Sequence, residues 1–406
     1  MMISYQFIDS PSKLSRFLDE IEEESWIAYD TEFISEGRYQ AEFCLAQVAT
    51  HKGNYLIDPI KIGDLKPFWE RICRDDTTSI VHACRSELEF CFRAIGRFPS
   101  RIFDVQLAAA FVGYEYPLNF KTLTHETIGV DIEKTETRTD WSRRPLLTGQ
   151  LEYALNDVVH LDKIRNFLNQ KLENFDRVQW FEEEMCNFCD SLMESFTEER
   201  WRKLLGNKRY SRDELAIVRE LWEWRRRKAL DKNTAPSRIF RDDMILEVAK
   251  HKTCDPQLIA NIRGIRSLPG SNLVKELCAA IEVALALPED KKPRMTQNHS
   301  YPQYSLATQL FNVLIGQYCR NHSLASRIVA TVADVRKMIA FYDGTLPKGD
   351  FPKLLEGWRK SFLGSYIDDF IKGRCLMQFS DQLEDHPLKV IRNNFCYNGE
   401  DKETSS

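Results

Sequence analysis

The sequence predicts an α/β domain followed by all-α domains, and three patterns carry that expectation. Strand-like and helix-like runs alternate over the first 170 residues. From about Leu151 onward every long segment has helical spacing. A polar stretch with three prolines, residues 288–303, divides the helical part into two blocks.

The elements follow in order. "KLSRFLDEIEEE" (13–24) has helical periodicity, and "WIAYDTEF" (26–33), "EFCLAQVAT" (42–50) and "NYLIDP" (54–59) read as strands. This is a hairpin-like start feeding a mixed sheet. Next come a helix around "LKPFWERICR" (65–74), a short strand "SIVHA" (79–83) and a helix from "SELEFCFRAIG" (86–96). The first helical block holds "DELAIVRELWEWRRRKAL" (213–230), "DDMILEVAKH" (242–251), "DPQLIANIR" (255–263) and "SNLVKELCAAIEVALAL" (271–287). The second runs from "SLATQLFNVLIGQYCRNH" (305–322) to "SYIDDFIKGRCLMQF" (365–379). The expected division is 1–175 for the α/β domain, 176–209 connecting helices, 210–290 and 304–395 two small helical domains, 291–303 a linker and 396–406 a disordered tail.

Composition excludes several classes. With 43% hydrophobic and 29% charged residues the chain is an ordinary globular one. No apolar run approaches the roughly 18 residues of a membrane span, and the polar N-terminus lacks a signal-peptide pattern. Eleven cysteines, an odd number, do not make a disulfide framework, so reduced thiols and a cytoplasmic location are expected. "CNFC" (186–189) has no second Cys or His pair at zinc spacing. No Gly-rich phosphate loop occurs, so no nucleotide cofactor is expected.

Charge is uneven. Residues 1–197 carry 21 Lys and Arg against 34 Asp and Glu, a balance of −13. Residues 198–290 carry 19 against 15 and residues 291–406 carry 16 against 12, each +4. Either this is surface variation or the basic part offsets an acidic site.

The chemistry begins in "WIAYDTEFIS". Alternate residues of a strand share a face, so Asp30 and Glu32 point the same way on an otherwise apolar strand. Two like charges there repel and are costly to desolvate, unless a cation neutralises them. Mg²⁺ and Mn²⁺ take carboxylate, water and phosphate oxygens. Other acids are placed to converge: Glu87 in the first turn of its helix, and Asp157, which shares a helix face with Tyr153. Four carboxylates and a phenol suffice for two ions and one oriented water.

"DTEF" (30–33), "HACRSELEF" (82–90) and "YALND" (153–157) resemble, in this order, the motifs of the DnaQ-like 3′→5′ exonucleases. The resemblance is to the ribonuclease D branch, which has Tyr near the reacting water. "IFDVQLAAAF" (102–111) and "RTDWSRRPL" (138–146) are similar to flanking stretches of that family. The resemblance implies a ribonuclease-H-like mixed sheet and two ions held by Asp30, Glu32, Glu87 and Asp157. It implies that Tyr153 orients the water, since a phenol of pKa near 10 is a poor base at pH 7. It places Thr31 and Phe33 at the nucleic acid. Arg138 and Trp141 either stack on a base and bind phosphate or staple their segment to the sheet. Glu87 stands where the family usually has Asp, and its extra methylene lengthens the reach; Asp104 is an alternative fourth acid. His82 precedes the second motif at a strand end, and His160, three residues past Asp157, is expected as its neighbour on the same helix.

The segment 210–290, with "LWEWRRRKA", "NTAPSRIFRDDMILEVA" and an "IRG…LP" turn, resembles the helicase-and-RNase-D C-terminal (HRDC) domain, and 304–395 a second, divergent copy. Arg225, Arg226 and Arg227 beside two tryptophans suit phosphate contact with stacking; otherwise they are a solvated edge over buried aromatics.

The resulting expectation is a metal-dependent 3′→5′ exoribonuclease. It would release 5′-mononucleotides from RNA with a single-stranded 3′ end, in tRNA or other stable-RNA processing. The alternatives are a non-catalytic RNA-binding protein with a site degraded at Glu87, and a 3′→5′ DNA exonuclease in repair. Nothing in the sequence names a protein partner.

Overall fold

The computed structural model describes residues 3–132, 139–197, 199–206, 208–265, 272–295, 301–379 and 388–392. In chain order the strands and helices begin with β1 (Gln6–Ile8), α1 (Pro11–Glu20), β2 (Trp26–Ile34), β3 (Glu42–Ala49), β4 (Asn54–Ile57), α2 (Pro59–Ile62) and α3 (Lys66–Ile72). They continue with β5 (Thr78–Val81), α4 (Arg85–Ile95), β6 (Ile102–Asp104), α5 (Val105–Phe111), α6 (Phe120–Ile128), α7 (Thr148–Asn156), α8 (Leu161–Asn174) and α9 (Val178–Thr197). Then follow α10 (Arg212–Asp231), α11 (Pro236–Ile239), α12 (Asp242–His251), α13 (Pro256–Asn261) and α14 (Leu273–Leu285). The chain closes with α15 (Ser305–Asn321), α16 (Ser326–Val329), α17 (Val332–Tyr342), α18 (Gly357–Ile371), β7 (Cys375–Phe379) and β8 (Leu388–Arg392).

These elements form two compact units, each discontinuous in sequence. One holds Met1–Ile102, Glu133–His160 and Phe188–His299; the other holds Phe103–Ile132, Leu161–Asn187 and Ser300–Ser406. The mixed sheet has the order β1-β4-β3-β2-β5-β6. Its central strand β2 is antiparallel to β3 and parallel to β5. Trp26, Ile27, Ala28 and Tyr29 are all buried, the continuous apolar run that a strand covered on both faces requires. The acids sit where that run ends.

In the first unit, α10 starts at Ser211, whose hydroxyl and the Glu214 carboxylate cap each other's backbone. The helix buries Leu215, Leu221 and Trp224 against Phe240, Ile245, Leu277 and Ile281. Each such fully buried side chain contributes about 1.5–3 kcal/mol. In the second unit the anchor is Arg359. Its guanidinium donates to both carboxylate oxygens of Glu184, at 2.7 and 2.8 Å, and to the carbonyls of Val329 and Ile328. Next to it, Gly357 leaves room for Glu183, whose carboxylate accepts from the Trp358 N–H: Gly357 has φ +50°, and a Cβ there would fall 1.8 Å from a Glu183 oxygen. Breaking a buried pair from one side strands the other charge, so Arg359→Met is expected to destabilise by about 3–5 kcal/mol. A urea midpoint unchanged from wild type would refute this.

One expectation is corrected. "CLMQF" is a strand rather than the end of a helix: Gly373, at φ +68°, follows α18, and β7 then pairs antiparallel with β8. The β-branched pair in "KVI" favours that hairpin. The expected tail at 396–406 lies outside the described residues.

Candidate active site

Asp30 and Glu32 leave the same face of β2, as their alternation requires. Opposite Asp30 on β3 stands Gln47, fully buried, whose amide donates to Asp30 Oδ2 at 2.7 Å. Beyond Glu32 the register slips: Glu32 faces Leu45 but Phe33 faces Phe43. The bulge leaves Cys44 unopposed and bends the strand beside the acids. Asp157 arrives from α7, as its C-cap residue. One carboxylate oxygen from each of Asp30, Glu32 and Asp157 lies within 4.8 Å of the others.

The electrostatics are those of an uncompensated anionic cluster. Burial pushes Asp30 up to about 6, against the pull of the Thr31 backbone N–H and the Gln47 amide. Burial, then the charges of Asp30, Asp157 and Glu87, push Glu32 up to about 9. Burial and then Asp30 push Asp157 up to about 8, opposed by a hydrogen bond from Tyr153. Tyr153 is raised by burial and then by the same carboxylates, so its phenol keeps its proton. Among the described residues, no basic side chain contributes to any of these shifts. Half-buried carboxylates converging with no basic partner among the described residues fit a hard divalent cation.

The α7 segment is held by residues that carry no obvious chemistry. Arg144 grips Asp58 bidentately at 2.6 and 2.8 Å and donates to the carbonyls of Cys44 and Trp141. Trp141, 5% exposed, sits in the core beneath α7 with Cys44, Leu56 and Ala154. It staples the segment, and is not presented to a base. Arg138 lies outside the described residues.

Glu87 is 3% exposed; it is not one of the three acids whose oxygens gather within 4.8 Å, but its charge reaches Glu32. It accepts from the Thr31 hydroxyl at 2.6 Å, and Thr31 alternates with Asp30 and Glu32 and so points to the other face of β2. The turn before α4 passes through Ala83 in the left-handed region, φ +61°, and this sets where the helix and Glu87 begin. Thr31, expected at nucleic acid, is therefore buried and committed to Glu87. Phe33 remains half-buried, edge-on to Phe90. Asp104 caps α5, accepting from the N–H groups of Gln106 and Leu107. His82 follows β5 in the turn leading to α4, and His160 lies in the turn before α8, not on the helix of Asp157.

Of the three arginines, Arg225 is 5% exposed, and its Nη1 donates to the Phe240 carbonyl and the Asp242 carboxylate. It holds the helical module together and offers nothing to phosphate. Arg226 pairs with Glu223 and hydrogen-bonds Tyr39; Arg227 is exposed. Reasoning from sequence missed Gln47, Arg144 and the Thr31–Glu87 bond. Only Gln47 left a signal, as an amide in the apolar strand expected to pair with β2.

A central strand with paired acids, an incoming helix with Tyr and Asp, and a cluster fit for divalent ions define a metal-dependent nuclease. Comparison with known proteins agrees. Residues 5–173 match the model of a 3′–5′ exonuclease domain and residues 214–281 that of the HRDC domain. Ribonuclease D of Nitrobacter hamburgensis is 32% identical over 346 residues, covering 83% of this chain and 87% of that protein. Ribonuclease D of Gluconacetobacter diazotrophicus is 29% identical over 374 residues, covering 91% and 93%. The crystal structure of Escherichia coli RNase D, an exoribonuclease involved in structured RNA processing, superimposes with a TM-score of 0.76 at 26% identity, covering 91% of this chain and 99% of that one. The chain belongs to the ribonuclease D family of 3′→5′ exoribonucleases. No described helix is long and apolar enough to cross a membrane.

Proposed function

We propose that Asp30, Glu32 and Asp157, with Glu87 as the fourth acid, hold two divalent cations, Mg²⁺ or Mn²⁺. There the enzyme hydrolyses the last phosphodiester of a single-stranded RNA 3′ end and releases 5′-mononucleotides. The observation that carries this reading is the convergence of three half-buried carboxylates with no basic partner among the described residues. When bound, the cations supply the charge that makes water acidic and neutralises the departing 3′ oxygen. The protein's own part is positional. Gln47 fixes Asp30, and the protonated Tyr153 donates to Asp157 and orients the attacking water. Arg144 and Trp141 hold α7 in place. Phe33, Arg226 and Arg227 are the contacts to RNA. The catalytic module is read as 1–175, with 210–290 and 304–395 as accessory modules whose mild positive charge offsets the acidic sheet domain. Its substrates are read as precursors of tRNA and other stable RNA, in the cytoplasm.

The test is a 5′-labelled single-stranded RNA with Mg²⁺ or Mn²⁺, beside DNA of the same sequence. A ladder shortened from the 3′ end on RNA is expected. DNA cut at an equal or higher rate would turn the reading to a DNA exonuclease. Glu87→Gln keeps an oxygen that can accept from Thr31 while removing the charge. The lost ligand charge is expected to lower kcat about 10²-fold, each 1.36 kcal/mol of transition-state stabilisation being tenfold in rate, while Tm in EDTA does not fall, because Glu87 is one of the charges that raise Glu32. Wild-type kcat in that variant would remove Glu87 from the ligand set.

A further inference from the structure

The second unit contains an open groove of about 710 Å³, between residues 113–117 and the α15–α16 corner. Its size is that of an ordinary ligand site. Tyr114 and Tyr116 line one wall, and Asn312, Gln317, Arg320 and Arg327 the other, with Glu115 the one acid. Both arginines are exposed, and Arg327 forms no ion pair among the described residues. The walls are fixed. Buried Arg177 donates to the carbonyls of Phe111, His322 and Ser323 at 2.5–2.7 Å. Gly113, at φ +101°, lies so close to Ser323 that a Cβ would meet its side chain at 3.0 Å.

This corner repeats one in the first unit, ninety residues earlier. Ala235 donates its N–H to the Gly37 carbonyl at 2.9 Å, and Ala325 donates to the Ala110 carbonyl at 2.9 Å. Thr234 bonds to Ala229 as Leu324 bonds to Cys319, and Phe240 to Pro236 as Ala330 bonds to Ser326. By that correspondence the α15 residues Asn312, Gly316 and Gln317 of the groove stand where α10 carries Trp222, Arg226 and Arg227. Each helical module thus turns the same face toward a loop of the catalytic part, and in the second unit that face stays open.

We propose that this groove is a second RNA subsite, holding the single-stranded backbone. Arg320 and Arg327 contact phosphates, and Tyr114 and Tyr116 offer faces to bases. Cationic heads beside aromatic platforms are the chemistry that holds single strands without regard to sequence. The inference rests on the reading of the enzyme as an RNA exonuclease. The lining sets two arginines against one acid, Glu115, so a polyanionic strand suits it better than a neutral or basic partner.

The test compares wild type, Arg320→Ala/Arg327→Ala, Arg320→Lys/Arg327→Lys and Gly316→Glu. Nothing lies within 4 Å of a Cβ at Gly316, so the helix accepts a side chain there and the last variant places an acid at the groove. RNA binding is measured in an Asp30→Asn background against salt, and KM in the active enzyme. The alanine pair is expected to weaken binding about 10-fold and to reduce the slope of log K against log[salt] by about 1.4, some 0.7 per lost phosphate contact. Gly316→Glu is expected to weaken binding similarly, while the lysine pair retains the wild-type slope. KM is expected to rise more for long RNA than for a few nucleotides. An active wild type whose alanine pair and Gly316→Glu variant bind RNA with unchanged affinity and slope overturns the groove alone. A wild type that degrades no RNA overturns the reading beneath it.

Discussion

Replacing Asp30 by Asn is expected to lower kcat at least about 10³-fold and, at the same time, to make the metal-free protein more stable at pH 8. The two effects share a cause. Asp30 is a charge that raises both Glu32 and Asp157, so it is the hub of the repulsion. An amide in its place keeps an oxygen to accept from Gln47, whose Nε2 lies 2.7 Å from Asp30 Oδ2, and the strand need not move. The lost charge removes several kcal/mol of transition-state stabilisation that bound cations would provide, and each 1.36 kcal/mol is tenfold in rate. Removing the same charge lets Glu32 and Asp157 ionise more easily in the folded state. Single-turnover kinetics on a labelled RNA and thermal melts in EDTA check both parts. Activity within tenfold of wild type would exclude Asp30 from the metal set. A variant that melts lower than wild type in EDTA would mean that Asp30 is structural.

The same physics explains what the sequence made legible. Period-two alternation placed Asp30 and Glu32 on one face, and it also places Thr31 on the other, which removes Thr31 from an RNA surface. Arg225 was equally readable in hindsight. Leu221, Trp224 and Arg225 stand at i, i+3 and i+4, the stripe a helix buries, while Arg226 and Arg227 fall off it. Trp141 lies in an irregular segment with no period to read, so only tertiary contacts with α7 decide its role. The same holds for Arg144, whose partner Asp58 is 86 residues away. The two discontinuous units were invisible to a linear reading. Residues 103–132 and 161–187 group with 300–406 through contacts such as Arg177 to Ser323, which no local composition announces.

The metal-free protein is expected to lose stability as pH rises from about 5.5 to 8.5, and divalent cation to reverse the trend. In the unfolded chain Asp and Glu titrate near 4. In the folded state Asp30, Asp157 and Glu32 are pushed up to about 6, 8 and 9. Between those limits the native state binds more protons than the unfolded one, so the slope of unfolding free energy against pH is negative. The stability held by protonated carboxyls is complete below about pH 4 and drains as pH climbs through the raised values. A cation competes with those protons, so its affinity grows over the same window and its binding releases protons. At a hundred times its dissociation constant it adds about 2.7 kcal/mol, equivalent to roughly 5–10 °C in Tm for a unit of about 150–250 residues. Melts in EDTA and in Mn²⁺ across this range test the account. The Mn²⁺ increment should widen with pH in wild type and vanish with Asp30→Asn. A metal-free Tm that stays level from pH 5.5 to 8.5 would mean that the carboxylates are already ionised and balanced by something other than a proton or a metal ion.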